Sequence, residues 1–160
     1  MKVRSAQSGL LIALLAAVVA SPVVAQSGKT GERVMIPTLQ SSDKDLGVQA
    51  AEAIRNQLTK QTNVRDLVVV PKADITNSLV SSGYSPTEAL PPGDAKALAT
   101  LVRAPQYLEG SVTRTPAGFK IDSRLMISRD MTKGQVLPRA QGAKLVVAAN
   151  QVAKAINDAR

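Results

Sequence analysis

The 160-residue chain contains no cysteine and no histidine. Without cysteine it has no disulfide framework, no thiol nucleophile, no cysteine-bound zinc and no cysteine that could carry a lipid. Without histidine it has no imidazole base, no Ser-His-Asp triad and no histidine ligand for a metal. We therefore expect little catalytic chemistry, no cofactor and no metal site.

Aromatic residues are scarce as well: tryptophan is absent, and Tyr84, Tyr107 and Phe119 are the three aromatic residues of the chain. So few aromatic rings leave little surface on which bases or sugars could stack. We expect Tyr107 and Phe119 to pack in the core or in a hairpin. Apolar residues make up 44% of the chain, which excludes a disordered polypeptide of low hydrophobicity.

Acidic residues are too few to balance the basic ones. The chain has 20 Lys and Arg against 12 Asp and Glu, for a formal charge of +8. Four of the basic residues, Arg114, Lys120, Arg124 and Arg129, gather around a predicted hairpin. Arg114, Lys120 and Arg124 are the candidate partner-binding residues, as an electrostatic patch. The alternative is a solvated sheet face whose charges protect it from aggregation.

The first 25 residues have the pattern of a secretory signal peptide. Lys2 and Arg4 precede an unbroken apolar run of 11 residues, 10–20, and small residues lead to Ala25, after which we expect cleavage. The alternative is a membrane anchor, but a span needs roughly 20 apolar residues. The pattern predicts a periplasmic protein with a flexible lead-in at 26–32, a single domain at 33–160 and no transmembrane span in the mature chain.

The hydrophobic periodicity of the mature chain alternates between helical and strand patterns. It predicts an α+β fold, a mixed β-sheet with helices packed on it, in the order β-α-β-α-α-β-β-(β)-α. The predicted strands are 33–37, 67–70, 107–114, 119–128 and a short edge strand 135–137, and the predicted helices are 45–59, 72–81, 94–104 and 142–160. A turn is expected at 130–134. Six residues should share one core: Ile54, Val69, Leu101, Val112, Leu125 and Val152.

Two short motifs have simple structural explanations. Gly28-Lys29-Thr30 has the look of a phosphate-loop tail, but the glycine that this loop needs is replaced by Val23 and no strand precedes it, so it indicates a linker. Asp43 and Asp45 could chelate a metal together, but further oxygen ligands are not evident. A helix N-terminus explains both acids better, with Asp43 as the cap and Asp45 in the first turn. Asp94 is the predicted cap of the third helix.

The segment 98–112, LATLVRAPQYLEGSV, resembles the helix–turn–strand segment of TolB amino-terminal domains. It is similar to the related domains of the CsgG family and to those that begin many bacterial tetratricopeptide-repeat proteins. The opening strand at 34–37 and the closing helix match this pattern in place. The resemblance implies an α+β domain whose role is protein–protein contact in the cell envelope, without a catalytic residue.

Three functions remain open from the sequence. The leading hypothesis is a periplasmic, non-enzymatic module that binds envelope or periplasmic proteins. Nucleic acid is not an expected partner, because a recognised docking element is not evident, aromatic residues are scarce and the sequence predicts export. The alternative is a carboxylate-based envelope hydrolase or sugar-binding protein, which should have a concave pocket with two carboxyl groups within roughly 5–10 Å. A third hypothesis is self-association through the edge strand near Val136.

Overall fold

A computed structural model describes residues 31–160 of the chain. The predicted signal peptide, most of the lead-in and the Gly28-Lys29-Thr30 motif lie outside the described residues. The elements in chain order are β1 Glu32–Met35, α1 Lys44–Gln61, β2 Leu67–Val69, α2 Lys72–Ser81, α3 Pro92–Leu101, β3 Gln106–Thr115, β4 Gly118–Ile127, β5 Asp130–Val136, β6 Ala140–Gly142 and α4 Leu145–Asp158. The α+β fold and the predicted order are confirmed, with β6 as an addition.

One mixed sheet contains all six strands. Its order is β2-β1-β3-β4-β5, and β6 lies beside β4 in line with β5. β1 pairs in parallel with β2 and β3, whereas the strands from β3 onward pair antiparallel. The β3–β4 hairpin turns tightly before Gly118, whose φ is +126° and where a Cβ atom would lie 2.3 Å from the Gly142 carbonyl oxygen. Only glycine fits this position.

Helices pack on both faces of the sheet, so the single predicted core is in fact two. On the face that we call the covered face, α1 and α4 bury a cluster centred on the middle strands. On the face that we call the open face, α2 and α3 bury a smaller cluster at the β1 end of the sheet. Tyr107 and Met126 belong to this smaller cluster, and Tyr107 is completely buried as expected.

Five of the six predicted core residues are confirmed. Ile54, Val112, Leu125 and Val152 are buried in the cluster of the covered face, and Val69 is half-buried against it. The prediction that Leu101 lies in the core is wrong, because Leu101 is 61% exposed. In α3 the residues that face the sheet are Ala95, Leu98 and Ala99. Leu101 comes three residues after Leu98, which places it about 60° around the helix, on the flank away from Ala99.

The helix starts differ in how they are capped. The Asp43 carboxylate accepts hydrogen bonds from the N–H groups of Asp45 (3.0 Å) and Leu46 (3.3 Å), so the predicted cap of α1 is confirmed. α3 instead starts at Pro92, which puts Asp94 in the first turn and not at the cap. Among the described residues, no helix combines the length and the apolar composition needed to cross a membrane.

The far edge of the sheet differs from its prediction. The turn after β4 comprises residues 128 and 129, and the segment expected as a turn at 130–134 is assigned to β5. Within that segment β4 advances one residue while β5 advances four, so residues 131–133 form an irregularity that has no partner in β4. Between Val136 and Ala140 the edge advances four residues where β4 advances three, so one extra residue forms a bulge around Pro138. After this bulge the chain forms β6, which occupies positions expected in the last helix; α4 begins at Leu145.

Candidate functional site

The central strands carry a polar cleft on the open face, beyond the reach of α2 and α3. Alternation along β3 and β4 turns the polar residues Glu109, Ser111, Lys120, Asp122 and Arg124 toward this face. The cleft has a volume of about 530 Å³ and is lined by Gln40, Glu109, Gly110, Ser111, Asp122, Ser123, Arg124, Val136, Leu137 and Arg139. We take this cleft as the candidate functional site.

The register of the hairpin sets charges of opposite sign next to each other in the cleft. Glu109 lies directly opposite Arg124, and Ser111 lies opposite Asp122. Cross-strand neighbours on one face of a sheet interact directly, so these pairs fix the charge pattern of the surface. The cleft therefore presents a mixed pattern of charges, not a uniformly basic one.

Asp122 is held by two basic side chains. Its Oδ1 accepts a hydrogen bond of 2.6 Å from Arg139 Nε, and its Oδ2 lies 3.4 Å from Lys120 Nζ. The hydrogen bond from Arg139, followed by the charges of Arg139 and Lys120, lowers the pKa of Asp122 below its usual range. Asp122 is thus an ionised partner of these two cations and is poorly suited to donate a proton.

Arg124 is an exposed cation of the cleft. Gly134, on the neighbouring strand, has no Cβ atom. A Cβ atom there would lie 3.0 Å from Arg124 Cδ and 2.3 Å from Met126 Sδ, so the glycine leaves room for both side chains. Within residues 31–160 no ion pair includes Arg124. The Arg124 guanidinium is accordingly available to an anionic group of a ligand.

The three residues predicted as a basic patch do not share one face. Lys120 and Arg124 lie on the open face, whereas Arg114 pairs with Phe119 on the covered face at the tip of the hairpin. The Arg114 guanidinium lies 5.3 Å from the centroid of the Phe119 ring, a cation–π contact. Side chains alternate between the two faces along a strand, so Arg114 lies on the same face as the buried Val112, two residues earlier. The sequence alone was therefore enough to predict that Arg114 lies on the other face from Lys120 and Arg124.

The cleft also includes residues that the sequence did not indicate. Gln40 borders the cleft because the chain after β1 continues alongside β3. The Gln40 N–H donates to the Gly110 carbonyl (2.9 Å), and the Val112 N–H donates to the Gln40 carbonyl (2.8 Å). Arg139 enters through the bulge that follows β5. Neither residue belongs to a periodic pattern, so there was no signal from which to predict it.

Two carboxylates, Glu109 and Asp122, lie diagonally across the β3–β4 ladder, which places their Cα atoms about 7–8 Å apart.

Tyr107 lies on the same face, two residues before Glu109. Burial, followed by the charge of Glu109, raises the pKa of Tyr107 from 10.0 to about 12. Among the described residues no group of three or more acidic side chains could hold a metal ion.

Comparisons with known proteins identify the fold. No protein-family model matches the chain, and no curated protein sequence matches it. The fold is similar to that of the LpoB C-terminal domain from Escherichia coli, with a TM-score of 0.51 and 17% identity over 73% of this chain and 84% of that domain. A solution structure of Escherichia coli LpoB gives a TM-score of 0.55 and 17% identity over 71% of this chain and 56% of LpoB.

TolB from Acinetobacter baumannii is similar as well, with a TM-score of 0.54 and 12% identity over 84% of this chain. The match covers 29% of TolB, so it concerns one part of that protein. This agrees with the TolB-like resemblance of 98–112 at the level of the fold. At such low identities the similarity shows a shared fold and nothing more.

Proposed function

We propose that the mature chain is a periplasmic, non-enzymatic domain that binds other envelope proteins through the open face of β3 and β4. The observation that carries this proposal is the cleft itself: a polar surface of mixed charge that the helices leave uncovered. The signal-like first 25 residues support export. The TolB-like segment 98–112, together with the fold shared with TolB and LpoB, supports membership of this group of envelope domains.

The chemistry of the cleft favours recognition over catalysis. Asp122 is neutralised by Arg139 and Lys120, and its lowered pKa removes it as a general acid. Arg124 is exposed and has no ion pair within the described residues, so it can form a charge-assisted hydrogen bond with a partner. The β3–β4 ladder of ten residue pairs holds these side chains on a rigid base. We therefore expect a partner with acidic groups.

Charge reversal tests this proposal. The partner is first identified by cross-linking in the periplasm from a photoreactive residue at Ser111, then purified. Replacing Lys120 and Arg124 together by Glu should slow its association about tenfold, with a strong dependence on salt. The stability of the fold should fall by no more than about 1 kcal/mol, because Arg124 is exposed and Lys120 gives up a partly exposed ion pair with Asp122.

The matched control is the double variant Lys60→Glu/Arg65→Glu, which reverses two charges at exposed positions outside the cleft. An equal loss of binding in both double variants would mean that net charge alone attracts the partner. Unchanged binding by the Lys120/Arg124 variant would place the site elsewhere. We expect Arg114→Glu to slow association only for a partner that also contacts the hairpin tip.

The diagonal pair of carboxylates supports a second candidate, a carboxylate-based hydrolase or sugar-binding protein. The register places the Cα atoms of Glu109 and Asp122 about 7–8 Å apart in the cleft, which allows the carboxyl separation of roughly 5–10 Å that such a site needs. Turnover of an envelope substrate that is abolished by Glu109→Gln, with the melting temperature unchanged, would establish this function and refute the binding domain. Asp122→Asn would then show whether the second carboxylate takes part.

A further inference from the structure

The edge strand beside β4 has two halves, and α4 closes one of them. The Gln151 side chain of α4 accepts a hydrogen bond from Gln141 N–H (2.9 Å) and donates one to the Gln141 carbonyl (2.9 Å). These two bonds satisfy both backbone groups of Gln141 that point away from β4. The Gln151 amide thus takes the place of a neighbouring strand along β6.

Among residues 31–160, no side chain closes the β5 half in this way. Leu137 N–H donates to the Ser123 carbonyl (3.0 Å), which makes Arg124 and Val136 a pair that is not hydrogen-bonded in the antiparallel ladder. The N–H and C=O of Val136 consequently point away from β4, and so do those of Gly134, two residues earlier. β5 is the last strand on this side of the described sheet, and the Val136 side chain is 68% exposed.

The charges near β5 indicate what can pair with it. Arg124, Arg129, Lys133 and Arg139 surround this half of the edge, and among the described residues the ion pairs Lys133–Asp130 and Arg139–Asp122 neutralise two of them. Pairing of β5 with a second copy would bring like charges together, which disfavours self-association. A strand that carries acidic side chains would instead complement Arg124 and Arg129.

We infer that β5 accepts an extended acidic segment of a partner protein as an additional strand. This inference rests on the proposed binding function and names the partner's chemistry. The N–H and C=O groups of Gly134 and Val136 would bond with the backbone of the segment. Its alternate side chains would lie over the open face, where acidic groups can reach Arg124. The edge and the cleft would then form one continuous binding surface.

The experiment uses three synthetic peptides and the purified mature chain. The first peptide is (Glu-Val)4, the second is the same peptide with the backbone nitrogen of every Glu methylated, which blocks the edge that presents Glu on the open face, and the third is (Lys-Val)4. Affinity is measured by titration calorimetry, and hydrogen exchange of the Gly134 and Val136 amides is followed by NMR. We expect (Glu-Val)4 to bind and to slow exchange at both amides about tenfold or more, and the other two peptides to bind at least about tenfold more weakly.

Val136→Pro tests the edge without breaking the fold. It removes an N–H that points away from β4, whereas Gln135 and Leu137 keep their bonds to β4, and proline is tolerated at such edge positions. We expect about a tenfold loss of affinity for (Glu-Val)4 and little loss in Val136→Thr, which changes the side chain and keeps the backbone donor. Circular dichroism melting confirms that both variants are folded.

Each outcome decides the inference. Equal binding of the methylated and unmethylated acidic peptides would mean attraction by charge without strand pairing and would overturn it. A molecular mass that doubles with concentration, with the Gly134 and Val136 amides protected, would assign the edge to a second copy and would also overturn it. Normal capture of the cross-linked partner by Val136→Pro, with weakened capture by the Lys120/Arg124 variant, would reject the edge and leave the proposed function intact.

Discussion

The two faces of the sheet are built from the same alternating strands but are covered to different extents. On the covered face, α1 has 18 residues and α4 has 14. On the open face, α2 and α3 have 10 residues each. A helix of 10 residues is about 15 Å long, whereas a strand of 10 residues spans about 33 Å. The short helices therefore cover one end of the hairpin and leave its polar half uncovered.

This difference separates the residues that stabilise the protein from those that can bind a partner. The middle of the covered face is a continuous apolar cluster, in which Leu108, Val112 and Ile121 lie beneath α1 and α4. The same strands present Glu109, Ser111 and Asp122 on the open face. Substitutions on the two faces should therefore have separate effects, the first on stability and the second on binding.

The largest expected effect tests the covered face. Ile54→Ala should lower the free energy of unfolding by about 2–5 kcal/mol, because Ile54 is completely buried and its removal leaves a cavity. Leu101→Ala is the matched control on the open-face helix α3, and it should change stability by less than about 1 kcal/mol, because Leu101 is largely exposed. Urea unfolding followed by circular dichroism measures both. Equal losses would show that the assigned packing of α3 is wrong.

The fold could be predicted from the sequence largely because the period of each element is regular. The β3–β4 alternation assigned the polar and apolar faces of the hairpin, and Asp43 marked the start of α1. The core prediction for Leu101 was wrong because the end of α3 offers several apolar residues, and only their contact with the sheet decides which of them is buried. Arg114 is close to Lys120 in sequence but lies on the other face of the hairpin, because its position in β3 has the parity of Val112. Its role in binding a partner stays a prediction.

The remaining features of the site depend on contacts between residues that are distant in sequence. β6 is three residues long, which is too short for any periodic signal. The closure of Gln141 by Gln151 depends on how α4 docks, and Arg139 reaches Asp122 only because a bulge re-aligns the edge. The sequence alone therefore could not show that α4 closes the β6 half of the edge and leaves the β5 half open, because both facts depend on the register of the strands.

The second prediction uses Tyr107, at the boundary between the buried and the polar parts of the open face. The pKa of its phenol is raised from 10.0 to about 12, chiefly by burial, so the native state disfavours the phenolate. The stability associated with the neutral hydroxyl is complete below pH 10 and is lost as the pH rises toward about 12. The loss amounts to about 2–3 kcal/mol for a shift of this size. Tyr107→Phe should remove this part of the alkaline destabilisation.

Unfolding of the wild type and Tyr107→Phe is compared at several pH values between 9 and 12, so that contributions common to both proteins cancel. Absorbance titration of the phenolate provides the control, since Tyr84 is the one tyrosine left in the variant. Parallel stability curves for the two proteins would contradict the prediction. They would mean that the Tyr107 hydroxyl reaches solvent in the native state.

A smaller effect is expected where α3 ends. Arg103 has a φ of +56°, in the left-handed region that favours glycine, and Ala104 N–H donates across the helix end to the Ala99 carbonyl (2.8 Å). Arg103→Gly should raise the free energy of unfolding by about 0.5–1 kcal/mol, as the relief of strain exceeds the added freedom of the unfolded chain. Arg103→Ala removes the same charge and keeps Cβ, so it should give no such gain in urea unfolding. Equal gains would assign the effect to the charge.

The smallest expected effect concerns the ion pairs of the cleft. The pKa of Asp122 is lowered chiefly by the hydrogen bond from Arg139, so the native state favours its carboxylate. The resulting stability is present above the ordinary pKa of 3.8 and is lost as the pH falls through the lowered value. Because the Arg139 side chain is 60% exposed and the Asp122 side chain is 39% exposed, solvent screening limits the contribution to less than about 0.5 kcal/mol. Unfolding experiments would hardly detect so small a contribution, whereas a carboxyl NMR titration detects the pKa shift itself.

In Arg139→Gln the pKa of Asp122 should rise toward 3.8, and in Lys120→Gln it should rise less, because the Lys120 contact is longer (3.4 Å). The reverse order would make Lys120 the main partner of Asp122, and Arg139 would then be free, with Arg124, to bind an acidic ligand.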